Sequence, residues 1–145
     1  MRNARGIMGA AALTLVAFAS GWALAREPYP KITPLLAANT TVIGEPIAYP
    51  DGSARVTAAV VALKPGEETG WHTHGLPLYA YMLEGELTVD YGPYGTRTYK
   101  TGDNFMEAIS AAHNGRNTGA GPMRVLAVYI GADGKANAIP ASAPR

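Results

Sequence analysis

The chain reads as a single all-β domain, a sandwich or small barrel of short antiparallel strands, preceded by a helical N-terminal leader. Three observations predict this. Short apolar or alternating segments recur between Gly, Pro and Asp turn signals over about 100 residues. No stretch carries the apolar period of a long amphipathic helix, and there is no heptad or internal repeat. A length of 145 residues supports one modest core rather than two. Closing such a sheet leaves an interior pocket.

The leader is read over residues 1–25. Arg2 and Arg5 make a positive start, Ile7 to Trp22 is an apolar run, and Ala23-Leu24-Ala25 offers the small residues a signal peptidase needs. Cleavage is expected after Ala25, giving a periplasmic or secreted protein with no stable membrane anchor. Gly9, Ser20 and Gly21 interrupt the run, which is short for a span of about 20 residues. Arg2 and Arg5 are not adjacent, which favours the general export route over a twin-arginine one. The formal net charge of +1 becomes −1 once Arg2 and Arg5 leave with the leader. With no run of Lys and Arg to track phosphates, nucleic acid is excluded as a partner. With no cysteine, disulfides, thiolate nucleophiles and iron–sulfur clusters are excluded too.

Residues 26–45 are an extension of short edge strands, because Pro28, Pro30 and Pro34 forbid long helix. Thr41-Val-Ile and Ile47-Ala-Tyr are strand fragments, and Asp51-Gly52 is the turn before the first long strand. That strand runs from Ala54 to Leu63, rich in Val and Ala and continuously apolar towards its end, the pattern of an element covered on both faces. Leu78–Leu83 and Glu86–Tyr91 are strands joined at Glu84-Gly85. Leu87, Val89 and Tyr91 alternate with Thr88 and Asp90, so one face is buried. Gly92-Pro-Tyr-Gly turns the chain into Thr96–Thr101. Phe105–Ala108 and His113–Asn117 are short strands, and Met123–Ile130 is the best late one. The domain proper is placed at 46–132, and 133–145, Pro-rich with no apolar period, is read as a flexible tail.

The chemistry is concentrated in His72, His74 and His113, the chain's three histidines. His72 and His74 are two apart, so in an extended strand both imidazoles point to one face. An adjacent antiparallel strand would bring His113 across. Neutral imidazole is the commonest metal ligand, and three of them on one divalent ion leave positions open for water or a substrate. The bland alternative is three rings that only hydrogen-bond within a core.

These segments resemble the two motifs of the cupin superfamily. The first runs glycine, five residues, His-x-His, a carboxylate and a closing glycine, and Gly66, His72, His74 and Gly85 fall on it. The second runs from a glycine through Pro-x-Gly to a histidine and an asparagine, and Gly102, His113 and Asn117 fall on it. Leu78 stands where the family's metal-binding Glu would be, and Ala108 and Ser110 replace the Pro and Gly. The resemblance implies a single-domain jelly-roll barrel of the small exported type, holding a divalent metal on His72, His74 and His113.

Three neutral imidazoles would leave the ion a formal charge of +2, a stronger Lewis acid than a site with a carboxylate. Zn, Fe, Cu, Ni or Mn are all compatible, and affinity order does not choose among them. Glu107, on the strand before His113, is the candidate catalytic carboxylate, able to act as base, to ligate the metal or to orient a histidine; its simpler reading is a solvated strand-end acid. Leu78, Ala80 and Met82 should follow the histidines inward and make an apolar pocket wall, with Trp71 at the mouth. That suits a small organic ligand, an anionic one being favoured by the ion, and Arg116 and Asn117 are candidates to steer it. Tyr79 and Tyr81 face the other way, towards the outside of the barrel or a homodimer interface. Two functions remain open: an enzyme on a small organic acid (mononuclear metal dioxygenase, or Lewis-acid isomerase or lyase), and a non-catalytic small-molecule or metal binding module.

Overall fold

Two antiparallel sheets enclose the core, and the chain passes between them at glycine corners. In the computed structural model, which describes residues 31–145, the strands are β1 (Ala54–Leu63), β2 (His72–Thr73), β3 (Leu78–Glu84), β4 (Glu86–Asp90), β5 (Thr96–Lys100), β6 (Asn104–Met106), β7 (Asn114–Asn117), β8 (Met123–Ala132) and β9 (Ile139–Pro140). One sheet has the order β1-β8-β3-β6, the second β5-β4-β7, and β2 pairs with β9 in a small third. The leader and its cleavage point lie outside the described residues. Among the described residues, no helix is long and apolar enough to cross a membrane.

Period-two patterning selects the inner faces. Leu78, Ala80 and Met82 are buried while Tyr79 and Tyr81 are half-buried on the outer face, as the alternation requires. Val125 and Ala127 of β8 and Phe105 of β6 complete that side of the core; Leu87, Val89 and Tyr91 oppose them from the second sheet. Tyr99 stacks on Phe105 with ring centroids 3.7 Å apart.

Three local expectations change. β3 and β4 do not pair with each other; Gly85, at φ +78°, is the corner where the chain changes sheets, and a Cβ there would lie 2.5 Å from the Pro122 carbonyl oxygen. β1 is an edge strand with Val56 64% and Val60 48% exposed, not one covered on both faces: a run of Ala and Val has no polar residue to mark its outer side. Thr41–Ile43 is a turn, closed by Thr41 N–H to the Glu45 carbonyl at 2.9 Å and Glu45 N–H to Thr41 Oγ1 at 3.1 Å.

Residues 133–145, read as a flexible tail, carry specific contacts. Thr73 and His72 of β2 register with Ile139 and Pro140, Ala141 N–H donates to the Trp71 carbonyl at 3.0 Å, and Pro144 lies against Gly92. Main-chain pairing needs no apolar period, so composition gave no sign of it.

Candidate metal centre

His72 and His113 form an antiparallel bridge, each N–H donating to the other's carbonyl at 3.0 and 2.9 Å. This is the cross-strand step that joins distant segments. His74, two residues on, is held by its own N–H to the Ile109 carbonyl at 2.9 Å. The three ring centroids are 4.5 to 5.0 Å apart, and one ligand atom from each ring lies within 4.8 Å of the others.

Each ring has an acceptor for its Nδ1. His72 Nδ1 is 2.8 Å from the Gly70 carbonyl, His74 Nδ1 2.6 Å from that of Asn137, and His113 Nδ1 2.9 Å from that of Ala111. A carbonyl only accepts, so all three Nδ1 atoms carry the proton and all three Nε2 atoms present lone pairs. Burial lowers the pKa of each: His72 and His113 fall below the ordinary value despite the carbonyl contacts, and His74 falls to about 4. The neutral form is therefore kept at neutral pH.

The donor set fits a divalent ion. His74 Nε2 and His113 Nε2 are 3.3 Å apart, and in the tautomers just assigned that contact places two lone pairs face to face, a repulsion that a cation between them relieves. Two nitrogens about 2.0–2.1 Å from one ion are about 3.0–3.4 Å apart at ordinary coordination angles.

Glu107 lies in the same cavity and is buried, not solvated. Burial raises its pKa to about 7, opposed by the Tyr91 hydroxyl, the Ala108 amide and His72. Leu78 lines the cavity, as do Val61, Ala80, Phe105 and Ala127. The other candidates lie elsewhere. Met82 is fully buried in the core and Trp71 is half-buried beside β2; neither lines the cavity. Arg116 points outward on β7, with Nε 3.8 Å from Glu68. Asn117 is spent on structure, donating to the Leu63 and Gly121 carbonyls at 2.9 Å each.

Two supports had no signal in the sequence. The Glu45 carboxylate accepts from the amides of Ile109 at 2.6 Å, Ser110 at 2.9 Å and Ala111 at 3.2 Å, and from the Ser110 hydroxyl. It braces the loop that lacks Pro and Gly, and that loop supplies the Ala111 carbonyl to His113. Burial alone would raise the Glu45 pKa, but the Ser110 hydroxyl and the three amides outweigh it and hold it below the usual carboxylate range. The second support is the Asn137 carbonyl from the C-terminal segment.

The family model described as a cupin domain matches residues 59–129, which contain both histidine segments. Similar solved structures include a Bacillus halodurans protein, 19% identical with a TM-score of 0.50, covering 59% of this chain and 69% of that one. The formate complex of oxalate decarboxylase from Lactobacillus farciminis is 24% identical with a TM-score of 0.51, over 59% of this chain but 26% of that enzyme. A Thermus thermophilus protein is 30% identical with a TM-score of 0.49, over 54% of this chain and 74% of that one. No functionally curated protein matches the chain.

Proposed function

We propose, from the premise that the chain belongs to the cupin superfamily, that it binds one divalent metal ion through His72, His74 and His113 and takes a small organic ligand in the cavity behind them. The observation that carries this reading is the set of three Nδ1–carbonyl contacts, which leaves three unprotonated Nε2 atoms together in a buried place. Rings serving only as core hydrogen-bonders would not need matching tautomers.

With Leu78 in place of a carboxylate, a bound divalent ion keeps its formal +2 charge and supplies a Lewis-acid centre. The chain's own residues do the rest. Glu107, with a pKa of about 7, holds a proton at the cavity wall that it can give to, or take from, a ligand at the histidine end. The apolar wall excludes water from that exchange. This favours an enzyme on a small organic acid, an oxygenase or a Lewis-acid isomerase or lyase according to the metal. The second reading, a binding module, is favoured by the bonds that already occupy Glu107, to its own Ala108 amide at 2.7 Å and to Tyr91. The positive start and the Ala23-Leu24-Ala25 site support export, which N-terminal sequencing of the mature protein tests by beginning at Arg26.

Elemental analysis of protein purified without chelator should find about one equivalent of a divalent transition metal per chain. His113→Ala should lose it. A stoichiometric metal that survives this substitution would overturn the assignment, and turnover assays with the native metal then separate enzyme from binding module.

A further inference from the structure

Resting on the metal-site reading, we infer that the cavity selects a ligand with one anionic head and an uncharged apolar tail of about three carbon atoms, and rejects a second charge of either sign at the far end. The reason is the distribution of polar groups. The cavity holds about 70 Å³, room for about five water-sized groups. Its polar lining consists of the three histidines, Glu107, Thr69 and Tyr129; no Lys, Arg or Asp lines it among the described residues. Thr69 is already committed, its hydroxyl donating to the Gly70 carbonyl at 3.1 Å and accepting from Gly115 N–H at 3.0 Å. Tyr129 stands beside His74, ring centroids 5.8 Å apart, and so belongs to the histidine end.

Along the strands away from the histidines the lining is apolar: Ala127 and Val125 follow Tyr129 at two-residue steps on β8, Phe105 pairs with Ala80 at the level of Ala127, and Val89 and Leu87 lie across from Gly115 and Asn117, beyond His113. Ala127, Val125, Phe105, Val89 and Leu87 are all buried. An apolar tail gains there by leaving water. Glu107 stands level with Leu78, its N–H donating to the Leu78 carbonyl at 2.9 Å, and Leu78 pairs with Tyr129, so Glu107 also belongs to the histidine end. A carboxylate or ammonium against the five apolar residues would be desolvated with no counter-charge or donor to meet it. Arg116, the nearest sequence candidate for a second anion contact, points outward to Glu68. The cavity is thus charged at one end only.

The test uses the full mature protein loaded with Co(II), whose visible bands report binding without turnover. Butyrate should perturb them with an affinity about tenfold or more above that of succinate or 4-aminobutyrate, which have similar length but carry a distal charge. Ala127→Leu, which fills the apolar wall, should weaken butyrate about tenfold more than it weakens acetate. Succinate or 4-aminobutyrate binding as tightly as butyrate would overturn the inference, as would butyrate binding unaffected by Ala127→Leu. If Co(II) binds stoichiometrically but ignores butyrate, this inference alone fails. If Co(II) does not bind, the metal site fails with it.

Discussion

The two segments flanking the domain, residues 34–45 and 133–145, each reach across to hold one histidine, and they do so by different means. The first uses a charged side chain. Glu45 collects the amides of Ile109, Ser110 and Ala111 and so places the carbonyl that fixes His113. The second uses main chain: the Asn137 carbonyl takes the Nδ1 proton of His74, and β9 is held by its ladder to β2. The difference teaches where each support is vulnerable. A carboxylate can be removed by one substitution or by acid, whereas a carbonyl is present whatever residue carries it.

The largest effect expected from this contrast is that of deleting residues 135–145. His74 then loses its Nδ1 acceptor and β2 its outer partner. Loss of such a partner to a ligating histidine costs about 10–100-fold in metal affinity, which a competition titration with a chromophoric chelator would read. Affinity within about twofold of the full chain would show that the C-terminal segment supports nothing.

Glu45→Ala should come next, destabilising the metal-free protein by about 1–2 kcal/mol through the loss of charge-assisted bonds, discounted because the carboxylate is partly exposed. Faster amide exchange at Ile109, Ser110 and Ala111 should accompany it, with β2 and β9 unchanged. Exchange rising equally in both flanks would mean that they are one cooperative unit, and the contrast drawn above would be lost.

Acid should separate the Glu45 support from the histidines themselves. The histidines have folded pKa values below the ordinary 6.5, so for these three groups the unfolded chain binds protons more strongly and metal-free stability falls as pH drops below 6.5, while the single raised carboxyl of Glu107 works in the opposite direction. Glu45 also has a lowered pKa, beneath its ordinary 4.5. Its contribution is present above pH 4.5 and is lost as pH falls through the folded value. Urea melts of Glu45→Gln from neutral pH to about pH 3 should therefore keep the first decline and lose the second. A variant that follows the parent curve below pH 4.5 would remove Glu45 from the account.

Much of this molecule was legible in the sequence because alternation and spacing are local. His72 and His74 share a face by their separation alone, and Leu78, Ala80 and Met82 against Tyr79 and Tyr81 sort inside from outside without reference to any partner strand. What was not legible acts at long range or through main chain. Glu45 sits between Gly44 and Pro46 in a stretch that reads as loop, and its partners lie more than sixty residues away. The burial of Glu107 depends on Tyr91 and on the opposite sheet, so a strand-end acid looks solvated until the second layer is in place. The failure at β1 is of another kind: an Ala and Val run satisfies a covered strand and an exposed edge equally, and only the pairing with β8 alone decides it.

The smallest effect expected is the sharpest test of the comparison. Asn137 is a polar residue next to a metal-site histidine, and by residue type it would be taken for a ligand or a proton relay. Its contact with His74 is made by the carbonyl, and that atom survives any substitution that keeps the backbone in place. Asn137→Ala should therefore leave metal affinity within about twofold and stability within about 0.5 kcal/mol, the range of a surface substitution away from special features. The deletion of 135–145 removes the same atom and should not be silent. If Asn137→Ala instead matches the deletion, the side chain is the support, both flanks work by the same means, and the protection that main chain gives to His74 does not exist.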